Sequence, residues 1–173
     1  SRIFSIPLAE KESTPPGHLQ SISATIFCST SNGTCIASSD SYGFVRFWKP
    51  DGLTLIWETH LKAKNTGMQA ITSLTALRKE KGDYNFIIVG MHATVHIINA
   101  EDGSVCSSSY EFKDWINSVA CSNNAAVVAG DNNCLALLSI NESTGAIEKV
   151  KTFDTENALE SDEQRERLTS YDN

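Results

Sequence analysis

The sequence contains no hydrophobic run that is long enough to cross a membrane. Its apolar stretches, such as 86–89 and 125–129, are far shorter than the roughly 20 residues that a membrane helix needs. Basic residues are also scarce, because 14 Lys and Arg stand against 21 Asp and Glu, giving a formal net charge of −7. Nucleic acid is therefore not the expected partner, since affinity for it depends on neutralising several phosphates at once. RNA contact through Lys62, Lys64 and the basic loop 78–81 stays open as a lesser alternative.

Motifs for enzyme chemistry are absent as well. The sequence has no GxSxG nucleophile turn, no GxxxxGK[ST] phosphate loop and no GxGxxG after a strand. His92 and His96 have a spacing that suits zinc on a helix, but four residues of a strand span about 13 Å, too far for one metal ion. The adjacent acids Glu101 and Asp102 fall in a predicted turn, where solvated carboxylates make poor general acids. We therefore expect no enzyme, no metal site and no cofactor.

Cysteine is present, but without the spacing of a metal or redox motif. None of the five residues forms a CxxC pair, and an odd number cannot pair completely within one chain. Each lies in a predicted strand beside apolar neighbours, where a free Cys behaves as a small hydrophobe. These residues are Cys28, Cys35, Cys106, Cys121 and Cys134. A reducing compartment, the cytoplasm or the nucleus or both, is the expected location.

What the sequence does have is a repeated hydrophobic pattern. Stretches 22–48, 71–98 and 116–138 each predict three short strands, and a fourth strand follows each of them. The predicted strands are 21–28, 34–39, 44–48 and 53–61; then 71–77, 85–90, 94–98 and 104–112; then 116–121, 125–130, 134–138 and 146–153. Gly, Asn and Asp occupy the breaks, as tight turns require. Because one such sheet cannot bury both of its faces, the units are expected to stack on one another.

The first and third units resemble blades of the WD-repeat family. Residues 17–22, GHLQSI, are similar to the GHxxxV start of such a blade, and 37–39 with 42–48, ASS and YGFVRFW, to its third-strand ending. Residues 114–122, DWINSVACS, resemble another blade opening, while the second unit matches only in hydrophobic pattern. The resemblance implies an all-β fold, a β-propeller of four-stranded antiparallel blades. About three blades are visible, which implies a larger, often seven-bladed ring that further blades in cis or in trans would close.

The chain divides into five segments on this interpretation. Residues 1–16 are expected to supply a strand and linker from a neighbouring blade, and 17–61, 66–112 and 113–153 to form the three blades. Residues 154–173 are predicted to be an acidic tail, either helical or disordered.

The three units depart from the polar signature of the family. Where such blades usually carry Asp before the Gly of the second turn, this chain has Tyr42, His92 and Asn132. The resemblance therefore implies that only His18, Ser38 and Trp48 survive from the buried His-Ser-Asp-Trp network of a full blade. We expect that network to be incomplete in the first blade and absent from the others, so that apolar packing holds all three.

Polar and aromatic residues at the predicted blade openings are the candidate partner-binding residues. In WD-repeat proteins these positions lie on the rim where partners dock, and an exposed aromatic on a rigid loop is a natural anchor. The candidates are Tyr42, Met68, Gln69, His92, Lys113, Asp114 and Trp115. Packing of Trp115 between blades is the open alternative for that residue.

These patterns together indicate a function in binding. We expect a non-enzymatic protein–protein interaction scaffold, a WD-repeat subunit of a multiprotein complex. The alternative is a regulatory or RNA-contacting propeller subunit of an enzyme or RNA-processing complex.

Overall fold

The described residues form three separate four-stranded antiparallel sheets, each built from consecutive strands. The computed structural model describes residues 17–31, 33–62, 69–78, 84–106, 109–132 and 134–154. Blade 1 comprises β1 (Ile22–Thr30), β2 (Gly33–Asp40), β3 (Phe44–Lys49) and β4 (Thr54–His60). Blade 2 comprises β5 (Ile71–Arg78), β6 (Tyr84–Met91), β7 (Thr94–Asn99) and β8 (Tyr110–Glu111). Blade 3 comprises β9 (Ile116–Ser122), β10 (Ala125–Gly130), β11 (Cys134–Ile140) and β12 (Ile147–Asp154).

Four of the sequence predictions fall on residues outside this description. They are the strand and linker at 1–16, the candidate Met68, the basic-loop residues 79–81 together with Lys64, and the tail from 155 to 173. Within the described residues, no helix is long and apolar enough to span a membrane.

Eleven strands lie close to their predicted positions, and the last strand of blade 2 does not. Of the predicted strand 104–112, the described residues form a strand at Tyr110–Glu111 and a single bridge between Val105 and Ile98, and residues 107–108 lie outside the description. Cys106 therefore lies beyond the strand that was predicted to contain it, although its backbone N–H still donates to Ile97 O at 2.8 Å.

Turn glycines pack blade 2 against blade 1 and blade 3 against blade 2. Gly103 in the last hairpin of blade 2 has φ +74°, and a Cβ there would lie 2.7 Å from the Trp57 ring of blade 1. Gly145 repeats the arrangement in blade 3 with φ +68°, where a Cβ would lie 2.6 Å from Cys106 Sγ of blade 2. Both positions require glycine, because of the left-handed backbone and of the close approach.

The seam between blades 1 and 2 is apolar. Its buried side chains include Val45 and Phe47 from blade 1 and Leu74 and Val89 from blade 2. Phe47 stacks on Trp57 with ring centroids 4.8 Å apart. The Trp57 indole N–H donates to Ala100 O of blade 2 at 3.0 Å, so Trp57 is a packing residue of the seam.

The seam between blades 2 and 3 adds hydrogen bonds to an apolar core. The innermost strands β5 and β9 lie side by side, and Thr72 Oγ1 donates to Ile116 O at 2.6 Å. The backbone N–H of Val119 donates to Ser73 Oγ at 3.1 Å. These contacts fix the inner strands in register, which in turn fixes the loops at their ends.

Candidate partner-binding face

One end of the three blades carries a surface that we call the loop face: residues 17–21, 41–43, 69–70, 92–93, 112–115 and 131–132. The same backbone contact occurs in each blade, because the second turn donates to the segment that enters the innermost strand. Ser41 N donates to Ser21 O at 3.2 Å, His92 N to Ala70 O at 3.3 Å, and Asp131 N to Trp115 O at 2.9 Å. The loop face is therefore positioned by the sheets themselves.

The first cluster on the loop face joins Tyr42 to Gln69. Tyr42 is 54% exposed. His60 Nε2 lies 3.2 Å from Tyr42 O and 3.0 Å from Gln69 Oε1, so one imidazole bridges the two candidates. The His60 ring also stacks on Phe44, with centroids 4.2 Å apart. Sequence reasoning missed His60, whose position at the end of an outer strand looks like that of any solvated residue.

The second cluster joins His92 to Trp115. Their rings meet edge to face, with centroids 4.6 Å apart. His92 has a left-handed backbone, φ 51°, and its carbonyl accepts the N–H of Ile116 at 2.7 Å. Trp115 is half-buried, so it packs on the turn of blade 2 while part of the ring reaches solvent.

Lys113 and Asp114 flank the second cluster in sequence. Lys113 is exposed and Asp114 is half-buried. One carboxylate oxygen of Asp114, Oδ2, is buried without a hydrogen-bond partner among the described residues. The structure thus sorts the described candidates into a Tyr42–Gln69 group and a His92–Trp115 group, with Met68 outside the description.

A buried polar network lies behind Tyr42, and the expectation that it is incomplete is wrong. His18 Nδ1 lies 2.8 Å from Asp40 Oδ2, and His18 Nε2 lies 2.6 Å from Ser38 Oγ. The Trp48 indole N–H donates to Ser38 Oγ at 2.8 Å. Asp40 therefore supplies the carboxylate that seemed to be missing.

The length of the turn explains why the sequence did not predict Asp40 as the carboxylate of the network. Ser41 and Tyr42 separate it from Gly43, whereas the family pattern places Asp directly before Gly. Asp40 Oδ1 spans this longer turn by accepting the N–H groups of Tyr42 at 2.9 Å and Phe44 at 3.1 Å. An Asp that bonds its own backbone two residues on is a common turn former, and that signal was available.

Electrostatics strengthen the network. Burial raises the pKa of Asp40, but hydrogen bonds from His18 and from the Phe44 and Tyr42 backbone outweigh it and hold that pKa below its ordinary 3.8. Arg46, only 5% exposed, lies 3.5 Å from Asp40 Oδ2 through Nη1 and donates through Nε to Glu58 at 2.6 Å. The turn that displays Tyr42 is therefore held by paired buried charges.

A cleft beside the Tyr42 turn is lined by Leu19, Phe44, Asp40, Arg46 and Glu58, among others, but its charged groups are paired with one another. The described residues contain no group of three or more His, Cys, Asp or Glu side chains that could hold a metal ion.

Comparison with known proteins establishes the fold. No protein-family profile matches the chain, and no curated protein matches it. Among solved structures, the Cps50 (Swd1) β-propeller domain of Myceliophteria thermophila aligns with a TM-score of 0.54 at 16% identity, covering 69% of this chain and 35% of that one. The described residues therefore form three blades of a β-propeller, as predicted, and the chain spans about a third of the length of that relative.

Proposed function

We propose that this chain is a non-enzymatic scaffold that binds other proteins through its loop face. The observation that carries the proposal is the presentation of two aromatic clusters on turns held by the blades: Tyr42 over the Asp40 network, and Trp115 against His92. Aromatic side chains on rigid supports are frequent interface anchors. Because these turns are already ordered, binding costs little additional conformational entropy.

The buried network of blade 1 supports a place among WD-repeat-like propellers. His18, Ser38, Asp40 and Trp48 are the four residue types that the family resemblance implies, and they contact one another in the expected chain. The structural match to the Swd1 domain, which is by its name a β-propeller domain, also supports this part of the proposal. We extend the proposal to a subunit of a multiprotein complex, because two separate aromatic clusters on the loop face offer binding sites for more than one partner surface.

The cysteines support a reducing location. All five are free thiols, and burial raises the pKa of Cys28 to about 12, with a further contribution from neighbouring Cys35. A thiol with so high a pKa is unreactive near neutral pH. We therefore include a cytoplasmic or nuclear location in the proposal.

Affinity capture with matched variants tests the proposed function. Tyr42→Ala and Trp115→Ala should each weaken binding of proteins that the unmodified chain enriches, by about 10-fold or more if each residue is an anchor. Leu53→Ala is the matched control, because Leu53 is 61% exposed and lies in the β3–β4 turn at the opposite end of blade 1. Circular dichroism confirms folding of each variant. Equal capture by all four proteins would refute the loop face as the binding surface.

A further inference from the structure

The two acidic residues beside Trp115 have no basic partner among the described residues. Asp114 directly precedes Trp115 in the chain, and the backbone N–H of Asp131 donates to Trp115 O at 2.9 Å. The ion pairs of the described residues all lie in blade 1. Two carboxylates therefore lie next to the half-buried Trp115 ring without a cation that neutralises either of them.

Asp114 also has an oxygen without a hydrogen-bond donor. Its Oδ2 is buried, and none of the described residues donates to it. Buried polar atoms nearly always have a hydrogen-bond partner, so this oxygen is an exception. The side chain as a whole is only half-buried, and rotation about its χ2 angle, which has a broad energy well, exchanges the two oxygens. A donor that arrives from the surface can therefore reach this carboxylate.

The Trp115 ring is held in a fixed position on the loop face. The edge-to-face contact with His92 supports the ring itself. The backbone is held as well, because His92 O accepts the Ile116 N–H at 2.7 Å and a Cβ at Gly130 would lie 2.5 Å from Trp115 O. A ligand that stacks on this ring therefore meets a side chain that is already ordered, which lowers the entropy cost of binding.

Lys113 is the nearest basic residue in sequence, and it is directed elsewhere. It lines a cleft with Tyr110, Phe112 and Phe153, and the lining of that cleft includes neither Trp115 nor Asp114. The segments that form the group around Trp115, which are 90–94, 109–117 and 129–132, are described without a break. The excess of negative charge is thus a property of the described seam between blades 2 and 3.

An aromatic ring beside two free carboxylates attracts a cation. The face of a Trp ring attracts a cation that lies within about 6 Å of its centre, and the carboxylates add to that attraction. Arginine suits the group better than lysine, because its planar guanidinium stacks on an aromatic face and carries five N–H donors. One guanidinium can therefore stack on Trp115 and also supply the donor that Asp114 lacks.

We propose that the loop face recognises an arginine side chain of a partner protein, which stacks on Trp115 and pairs with Asp114 and Asp131. This inference rests on the proposed function, since it assigns a chemical class to the partner of the His92–Trp115 group. It adds a requirement that the proposed function does not make, namely that the partner is positively charged at the point of contact.

The indole N–H signals of an isotope-labelled chain test the proposal by NMR. The indole N–H groups of Trp48 and Trp57 donate within the chain, so these two residues are internal controls. The peptide acetyl-Gly-Arg-Gly-amide should shift the Trp115 signal, which is identified by its loss in Trp115→Phe, and leave the other two in place. The same peptide with citrulline, which has the shape of arginine without its charge, should bind about 5-fold more weakly. An unmoved Trp115 signal, or equal binding of the two peptides, would overturn the proposal.

Removal of the two charges is the second part of the test. The double variant Asp114→Asn with Asp131→Asn keeps the side-chain shapes and should bind the arginine peptide about 5-fold more weakly, with little change for the citrulline peptide. Asp51→Asn is the matched control, because Asp51 is exposed at the opposite end of blade 1, and it should bind as the unmodified chain does. Circular dichroism checks the folding of each variant. Undiminished binding of the arginine peptide by the double variant would overturn the proposal.

Affinity capture distinguishes failure of this inference from failure of the proposed function. If Trp115→Ala loses the captured proteins while the double Asn variant keeps them, the loop face remains a binding surface and the arginine proposal is wrong. If both variants lose the same proteins, both proposals are supported. Capture that survives Trp115→Ala would overturn the arginine proposal together with the role of Trp115 as an anchor.

Discussion

The same row of the sheet is polar in blade 1 and mostly apolar in blades 2 and 3, where His96 is the one polar member among the residues compared. In blade 1 it contains Thr25, Ser38 and Arg46. In blade 2 the corresponding row contains Leu74, Val89 and His96, and in blade 3 Val119, Val128 and Ala136. The apolar rows pack against the preceding blade, whereas within the described residues no blade covers the row of blade 1. One sheet position can thus be stabilised by a neighbouring sheet or by a polar network.

The turns beside these rows differ in the same way. In blades 2 and 3 the second turn uses a left-handed residue, His92 with φ 51° and Asn132 with φ 54°. Blade 1 has a longer turn, which Asp40 closes by accepting two backbone N–H groups. The turn of blade 1 also has a left-handed residue, Gly43 with φ +87°, so it differs from the other two in its greater length and in the Asp40 side chain that closes it.

Removal of the Asp40 carboxylate should have the largest effect on the stability difference between blade 1 and the other two blades. Asp40→Ala leaves Arg46 buried with one fewer partner and opens the turn, so we expect a loss of about 3–5 kcal/mol in the free energy of unfolding. Asp131→Ala is the matched control in blade 3, because Asp131 is exposed and its carboxylate accepts a hydrogen bond from Asn117 Nδ2 at 2.7 Å. That change should cost less than about 1 kcal/mol. Urea denaturation measures the free energy of unfolding of both variants. Similar losses for Asp40→Ala and Asp131→Ala would show that the buried network of blade 1 stabilises the chain no more than a surface hydrogen bond does.

Exchange of a polar for an apolar side chain between the corresponding rows of blades 1 and 2 should have the next largest effect on the free energy of unfolding. Val89 is fully buried, so Val89→Ser removes two methyl groups and buries a hydroxyl, at a cost of about 3 kcal/mol. The reverse change, Ser38→Val, removes the oxygen that contacts both His18 and Trp48 and should cost about 2 kcal/mol. If either substitution left the free energy of unfolding unchanged in urea denaturation, polar and apolar side chains would be interchangeable in these rows. Blades 1 and 2 would then not differ in how this row is stabilised.

The strands and the stacking of the blades were predictable from sequence because they depend on local patterns. Alternating apolar residues with Gly, Asn or Asp at the breaks marked eleven of the strands, from β1 to β12 with β8 as the exception. The exposed Tyr42 and the half-buried Trp115 also lie where the blade openings placed them on the loop face.

The contacts of Asp40 with His18 and of His60 with Gln69 were not predicted, because they join residues far apart in sequence. Asp40 reaches His18 across 22 positions, and a two-residue shift in the turn hid it from the family spacing. His60 meets Gln69 only because one blade ends beside the start of the next. Such contacts depend on tertiary placement, which hydrophobic periodicity does not encode.

The smallest expected effect is the pH dependence of the stabilisation that Asp40 gives to blade 1. The pKa of Asp40 in the folded chain lies below its ordinary 3.8, so the carboxylate contributes its full stabilisation above that value. As the pH falls through the ordinary value towards the folded pKa, the unfolded chain takes up the proton first and the contribution is lost. Asp40→Asn lacks this titration. The difference in unfolding free energy between the unmodified chain and Asp40→Asn should therefore shrink as the pH falls from about 5 to about 3. A constant difference for Asp40→Asn across that range would mean that its stabilising role does not depend on charge, and hydrogen-bond geometry alone would then distinguish blade 1 from its neighbours.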